Sequence, residues 1–512
     1  MKIIFLSFLS SLLLILSFPK FNLSFLAWIG FLPLFIACEG SNRKQSFFLF
    51  YISGFIFWAG ILYWLIQVSF IGFLLLVFYL ALYFGVLGFF VSIVQSIVCS
   101  QQFTENSPLF LINCFLFLPS LWVVLEFIRS HLFTGFGWAL LGYSQYLNLP
   151  IIQIADITGA YGVSFLVMLV NTTFYSVIRK KKKNLFSILS ILCILTALIY
   201  GHYQLTRQQA NPPTGKLSVS VIQGNIPQEQ KWDKRLKKNI LDKYIFLTQR
   251  AANQNLPNLI IWPETAVPAY FNQDEDVKNR ILNLSQEINA SLLIGAATFK
   301  NNKPYTSLVR GKSFNSAILI SRGKIVSQYD KLHLVPFGEY VSSLFSFTRH
   351  FIDIGDFSFG KEWTVFTLPA LRSSFPAFSV LICFEDVFPY LSRGFVRRGA
   401  NFLINISNDA WFGNSSAPYQ HCQPTVFRAV ENRMNIIKCS NTGISCFISP
   451  KGKIFGKFSK YGRDIFVDGY STEEILVRER PLTFYTSFGD VFAVLCLLFC
   501  AGFVIIERNK IR

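Results

Sequence analysis

The chain has 512 residues, 52% of them hydrophobic and 17% aromatic, including 56 phenylalanines, and a mean hydropathy of +0.43. So much apolar surface excludes an ordinary soluble protein of this size and points to a membrane class. The formal net charge of +19 falls largely in short runs between apolar segments, such as Arg179-Lys180-Lys181-Lys182-Lys183, which reads as a topology determinant and not as a nucleic-acid surface.

Apolar stretches near the ~20 residues of a bilayer span recur at 3–18, 24–38, 47–67, 70–98, 108–128, 162–178 and 185–203, with a last one near 489–506, giving about eight predicted spans. Basic residues follow the second (Arg43, Lys44), the sixth (Arg179 to Lys183) and the eighth (Arg508, Lys510, Arg512). If spans alternate, these lie on one side, the cytoplasmic one, and the polar region after the seventh span lies outside, in the periplasm of a Gram-negative cell. The first stretch resembles a signal peptide, but Ser17-Phe18-Pro19 is a poor cleavage site. Leu34-Phe35-Ile36-Ala37-Cys38 reads as a chance likeness to a lipoprotein box.

Three domains are expected: helices over 1–205, one extramembrane α/β domain over 215–480, and a final helix over 487–508. Within the second, Leu217 to Gln223 alternates like a strand, followed by a helix over 242–255, a strand at 259–262, a helix over 277–289 and a strand at 291–296. Later strands are predicted at 316–321, 379–383 and 402–406, with a helix near 423–433. This order argues layered α/β. Periodicity does not separate a doubly wound sheet from a sandwich.

Three polar islands lie at or near the ends of probable strands: Trp262-Pro263-Glu264-Thr265, Asp330-Lys331-Leu332-His333, and Cys383-Phe384-Glu385-Asp386. A carboxylate, an ammonium and a thiol brought to one sheet edge can perform acyl transfer. Taken singly, Cys383 is a buried structural thiol, Glu264 a helix N-terminal carboxylate and Lys331 a solvated charge; only the constellation argues otherwise. Six of the ten cysteines fall in apolar segments and read as small buried hydrophobes. Cys439 and Cys446 could form a bridge. His333 and His421 lack ligand spacing, so no metal and no cofactor are expected; His421 is also a weaker candidate base for Cys383.

The order Glu, Lys, Cys resembles the nitrilase superfamily, whose triad forms thioester intermediates. Gln223 to Gln228, Lys231-Trp232-Asp233, Asp330 to Val341, Asn405 to Gly413, Gln420-His421 and, in the membrane half, Leu132 to Trp138 and Gly142 to Gln145 extend the likeness over nearly the whole chain. Together they resemble the apolipoprotein N-acyltransferase family. Phe384 stands where some members carry Tyr, and Asn432 to Asn435 lacks an expected Arg-Pro.

The resemblance implies eight spans carrying an α-β-β-α sandwich. Cys383 would attack a phospholipid ester, Glu264 would take the thiol proton, and Lys331 would face the oxyanion with the Phe384 backbone N–H as a second donor. Glu339 and Glu385 would belong to a charge network around Lys331 and Glu264. Trp232 is implied as a substrate-side residue and Trp138 as a supporting one. The acceptor would be the α-amine of an S-diacylglyceryl cysteine on a lipoprotein, the enzyme a monomer in the bacterial inner membrane with a periplasmic catalytic domain and a cytoplasmic C-terminus. Leu344 to Phe359 is expected to dip toward the bilayer as a lid hinged at Gly355 and Gly360. A membrane-tethered amidase on a small soluble substrate, or a non-catalytic transporter or scaffold using Glu126, Arg129 and Asp156, are the competing readings.

Overall fold

A computed structural model describes residues 2–99, 108–180, 185–207, 215–300, 312–340, 357–369, 376–478 and 481–511. The predicted lid at 344–359 lies outside them apart from 357–359, as does Gly355. The chain divides into two compact units: Met1–Arg207 with Ser415–Glu431 and Thr483–Arg512, and Gln208–Asn414 with Asn432–Leu482. Residues 415–431, inside the range expected to be one extramembrane domain, thus group with the helices.

In the first unit, α1 (Lys2–Leu16) buries Ser7, Ser10 and Ser11, small residues that allow close helix approach. The Ser11 hydroxyl meets that of Ser53 at 2.8 Å. The second predicted span is corrected: residues 24–38 form a 3-10 turn at Ser24–Trp28 and a six-residue helix α2 (Leu32–Ala37). At ~1.5 Å per residue neither piece crosses a ~30 Å core. The segment is broken around Gly30, and α2 starts anew with Pro33 in its first turn.

Next come α3 (Arg43–Leu62), α4 (Phe70–Cys99), α5 (Pro108–His131), the short α6 (Leu149–Ile152), α7 (Ala155–Lys180) and α8 (Leu185–Thr206). Asn42 caps α3 in a reciprocal box with Gln45. Among the described residues four helical stretches are long and apolar enough to cross a membrane: Arg43–Gln67, Phe70–Ile97, Ala155–Arg179 and Leu185–Thr206. Lys2–Leu16, Ser24–Ala37 and Val491–Ile506 are apolar but shorter, so four of the about eight expected spans are clear candidates among the described residues.

Glu126 and Arg129 on α5 are buried and saturate the loop that follows. Glu126 accepts from the Leu141 N–H at 2.6 Å, and Arg129 donates to the carbonyls of Phe136 and Trp138, each at 2.7 Å. These charges fix a backbone.

The second unit holds β1 (Gly215–Gln223), α9 (Lys237–Asn255), β2 (Leu259–Ile261), α10 (Glu275–Glu287), β3 (Ser291–Lys300), β4 (Lys312–Ser321), β5 (Lys324–Asp330), β6 (Phe366–Thr367), β7 (Ala377–Ile382), α11 (Pro389–Arg397), β8 (Phe402–Ser407), β9 (Asn435–Ser440), β10 (Cys446–Ile448), β11 (Ile454–Phe455) and β12 (Gly469–Val477). They form two six-stranded sheets, ordered β12-β1-β2-β3-β4-β5 and β11-β10-β9-β8-β7-β6. Parallel strands sit at the centre of each, β1-β2-β3 and β7-β8-β9. Their continuous apolar runs, such as Leu259-Ile260-Ile261, are what a sheet covered on both faces requires.

Ile222, Ile260, Leu292, Ile294, Ile318 and Ile320 pack with residues of α9 and α10 in one cluster. On the other face the two sheets meet: the Cys439 thiol lies 3.4 Å from the Ile222 carbonyl and 3.3 Å from that of Ile261. Phe395 of α11 packs on Tyr329 and Trp363, ring centroids 5.5 and 5.1 Å apart. Helices therefore cover a pair of face-to-face sheets. No disulfide joins Cys439 to Cys446: Cys446 stands opposite Lys438, which puts the two thiols on opposite faces of the sheet.

α12 (Ala417–Asn432), α13 (Phe484–Phe488) and α14 (Val491–Ile511) complete the chain. Gln420 on α12 anchors within the helical unit: its Oε1 accepts from the indoles of Trp64 at 3.0 Å and Trp138 at 2.9 Å.

Candidate active site

The chain leaves β2 through Trp262 and Pro263 and turns sharply at Thr265, whose φ is +43°. The turn lies against Gly295 of β3, where a Cβ would stand 2.3 Å from the Pro263 carbonyl and 2.7 Å from the Glu264 Cα; only glycine lets the backbone come so close. Glu264, 7% exposed, is held at both ends. Its Oε1 accepts from Asn315 Nδ2 at 2.8 Å, and its backbone carbonyl accepts from Lys231 Nζ at 2.9 Å.

Lys331 follows β5 directly, and its N–H donates to the Asn315 carbonyl at 2.9 Å. Its ammonium, 1% exposed, lies 2.8 Å from Glu339 Oε2 and 3.5 Å from Glu264 Oε1. Burial alone would lower its pKa; the carboxylates of Glu339 and Glu264 prevail and hold it above the ordinary lysine value. Asn315 Nδ2 also donates to Glu339 Oε1 at 2.7 Å, so one amide spaces the two carboxylates around one ammonium.

Cys383 is the first residue past β7, opening a 3-10 turn over Cys383–Val387. Its φ is +55°, a left-handed conformation that costs a non-glycine residue roughly 1–3 kcal/mol. The surroundings impose it. Glu385 accepts from the Ile382 N–H at 2.7 Å, from the N–H groups of Leu332 and His333 at 2.8 and 2.9 Å, and from the Tyr329 hydroxyl at 2.8 Å. Asn405 Nδ2 donates to the Cys383 carbonyl at 3.0 Å and its Oδ1 accepts from buried Lys438 at 2.5 Å.

Glu385 thus ties the segment after Lys331 to the turn that carries Cys383. Burial pushes its carboxyl up to about 7, against the pull of Lys331 and these donors. Burial, then Glu264, also pushes the Cys383 thiol up, while Lys331 opposes them. A thiol of this kind needs its proton removed as it reacts, and the adjoining carboxylate can take it.

The structure gathers Glu264, Lys331 and Glu339 directly and places Cys383 within their field. Glu385 acts on backbone N–H groups, and no ion pair joins it to Lys331 among the described residues. Phe384 is half-buried in the same turn, its ring 5.3 Å from that of Phe388. Trp232 is 46% exposed, with its ring 6.3 Å from Tyr270. Trp138 is buried within the helical unit on Gln420. His421, also in that unit, lies beside Trp138 at 5.5 Å between ring centroids.

Four contributors escaped sequence reasoning. Asn315 and Lys438 carried the signal of polar residues inside otherwise buried strands. Lys231 lay inside the segment Lys231-Trp232-Asp233 but was given no role, and Tyr329 had no signal beyond adjacency to a motif. Among the described residues no group of three or more His, Cys, Asp or Glu is placed to hold a metal ion.

Fold and site together define an α/β enzyme of carbon-nitrogen hydrolase type joined to a membrane helical unit. The chain matches the family description "Carbon-nitrogen hydrolase" over residues 218–468 and "Apolipoprotein N-acyltransferase N-terminal domain" over 10–173. It is 39% identical to an apolipoprotein N-acyltransferase of Geobacter metallireducens, covering 98% of this chain and 94% of that one. With the Rickettsia prowazekii protein of the same name the identity is 32%, over 81% of this chain and 79% of the relative. Among solved structures, Saccharomyces cerevisiae Nit3, a member of branch 10 of the nitrilase superfamily, matches 53% of this chain and 93% of its own at 20% identity and a TM-score of 0.38. The chain belongs to the apolipoprotein N-acyltransferase family, and its function is the N-acylation of lipoproteins.

Proposed function

We propose that this chain transfers a fatty acyl group from a membrane phospholipid to the α-amine of an N-terminal S-diacylglyceryl cysteine, through a thioester on Cys383. The arrangement of Glu264, Lys331 and Glu339 around a nucleophile forced into a strained turn is the observation that carries this reading. Glu264 takes the thiol proton as sulfur attacks the ester carbonyl. The resulting oxyanion is met by the Lys331 ammonium, which Glu339 keeps charged, and by the Phe384 backbone N–H. The carbon–oxygen bond breaks, Glu264 returns its proton to the departing alkoxide, and a lysophospholipid leaves.

In the second half the acceptor amine attacks the thioester, Glu264 takes a proton from that nitrogen, and the carbon–sulfur bond breaks. The thiolate regains the proton, leaving an amide and the resting enzyme in a two-step, ping-pong cycle. Trp232, exposed beside Tyr270, is proposed to contact substrate, and Glu385 to hold the nucleophile's turn. Trp138 is proposed to support the helical unit through Gln420 and α12. The enzyme works in the bacterial inner membrane as a monomer, with its catalytic unit on the periplasmic face and its C-terminus in the cytoplasm. The matched family and the apolar helices support membrane residence, and the basic runs at Arg43-Lys44, at Arg179-Lys180 and near the C-terminus support a cytoplasmic side for the segments that carry them.

The test is transfer to a diacylglyceryl-cysteine peptide by the purified full chain in detergent with added phospholipid. Wild type should convert the peptide to its N-acyl form, while Cys383→Ala and Glu264→Gln should not. Hydrolysis of the donor without peptide acylation would favour a tethered hydrolase instead.

A further inference from the structure

Along the outer side of α11 runs a cleft of about 560 Å³ lined by Trp363, Tyr390, Arg393, Gly394, Arg397 and Arg398. The helix buries Leu391, Phe395 and Val396, which leaves Arg393 and Arg397, one turn apart, on its other side. Arg397 and Arg398 stand at the C-terminal end, where a helix dipole favours cations. Arg393 lies mid-helix and has no such compensation. Among the described residues no ion pair joins any of the three to a carboxylate, Glu362 beside Trp363 included.

The floor is built. Trp363 packs on Phe395, and it lies so close to the helix that a Cβ on Gly394 would stand 2.3 Å from its ring. A glycine inside a helix weakens it, and here the close indole explains its presence. The Arg398 guanidinium stacks over the Trp363 ring at 4.3 Å from the centroid and donates to the Gly394 carbonyl at 2.9 Å. Stacking pre-orients the planar guanidinium fork. At the other end, the Tyr390 hydroxyl lies 3.0 Å from His333 Nδ1. Three like charges on an aromatic floor, with no counter-charge among the described residues, form a receptor for an anion with several acceptor oxygens.

We infer that this cleft binds a phosphate group, carried either by a glycerophospholipid headgroup or by free phosphate. A carboxylate has two acceptor oxygens, whereas a phosphate has three or four arranged around one centre and can engage two or three guanidiniums at once. The site does not rest on the acyl-transfer reading, and it is tested where that chemistry is switched off.

The experiment is calorimetric titration of the full chain carrying Cys383→Ala, in maltoside detergent. The probes are inorganic phosphate and dihexanoyl phosphatidylglycerol, with dihexanoylglycerol as the phosphate-free control. The parent should bind at least one phosphate-bearing probe, and Arg393→Gln with Arg397→Gln should raise that Kd by about tenfold or more. The corresponding pair of Lys substitutions keeps the charge but loses the fork, and should fall between the two. Phospholipid binding tightly where inorganic phosphate binds weakly assigns the headgroup; equal Kd values assign free phosphate. A Gln pair that matches its parent with both probes while retaining the parental melting temperature, or a parent that binds neither probe, overturns the inference.

Discussion

Lys331 and Lys231 are 1% and 2% exposed, and both reach Glu264, yet their surroundings drive them in opposite directions. Lys331 meets the side chains of two carboxylates, Glu339 at 2.8 Å and Glu264 at 3.5 Å, and is held charged. Among the described residues Lys231 meets only the neutral backbone carbonyl of Glu264, and burial pulls its pKa down to about 7, partly offset by Glu264 and Cys383. Burial alone therefore does not decide whether an ammonium survives. A carboxylate within bonding distance does.

This difference assigns separate work. In the proposed mechanism Lys331 serves as a permanent positive charge near the reacting carbonyl. Lys231 is a titrating group that fastens the Glu264 backbone in its turn. Removing the permanent charge should have the largest effect: Lys331→Met should slow single-turnover acylation of Cys383 by roughly a thousandfold, the scale of a lost oxyanion donor.

Glu339→Gln should blur the comparison by making Lys331 resemble Lys231. With its nearest counter-charge gone, the ammonium loses its proton more readily. Acylation should fall by about a hundredfold at neutral pH and fall further as pH rises. A rate–pH profile that keeps the wild-type shape would separate Glu339 from the charge on Lys331.

Lys231→Met should cost less, about tenfold, the scale of one charged hydrogen bond. Its sharper signature lies in the rate–pH profile, which should lose an inflection near pH 7 where Lys231 titrates. An inflection that persists in the variant assigns it to another group.

Glu385 should affect the rate least and stability most. Its folded carboxyl, at about 7, lies above the ordinary glutamate value of 4.5, so folding takes up a proton. The resulting contribution is full below pH ~4.5 and is lost as pH rises through ~7, on the order of a few kcal/mol. The wild-type melting temperature should therefore fall between pH 5 and pH 8 by several degrees more than that of Glu385→Gln. Parallel curves would place the titration elsewhere.

Of the three proposed catalytic residues, Lys331 follows the polar, partly exposed β5 and was legible through its place in the motif Asp330 to Val341. Glu264 and Cys383 were legible because each follows an apolar strand, and an abrupt polar residue at a strand end is a local signal. The layered α/β order was legible for the same reason, since strands covered on both faces read as short continuous hydrophobic runs. The number of spans was not. Residues 24–38 have the composition of a span, but the break around Gly30 and Pro33 divides them into pieces too short to cross. Asn315, Tyr329 and Lys231 were obscure because their roles depend on partners 51, 56 and 33 positions away, which no local pattern records. The grouping of 415–431 with the helices was equally hidden, since it rests on Gln420 meeting indoles from Trp64 and Trp138.

The most direct test of the account is mass spectrometry of the Cys383 peptide after the full chain is incubated with phospholipid and no acceptor. The account predicts an added fatty acyl mass on that peptide, removed by hydroxylamine and discharged on adding a diacylglyceryl-cysteine peptide. A folded, lipid-bound enzyme that N-acylates the acceptor while Cys383 never carries the acyl mass would contradict it.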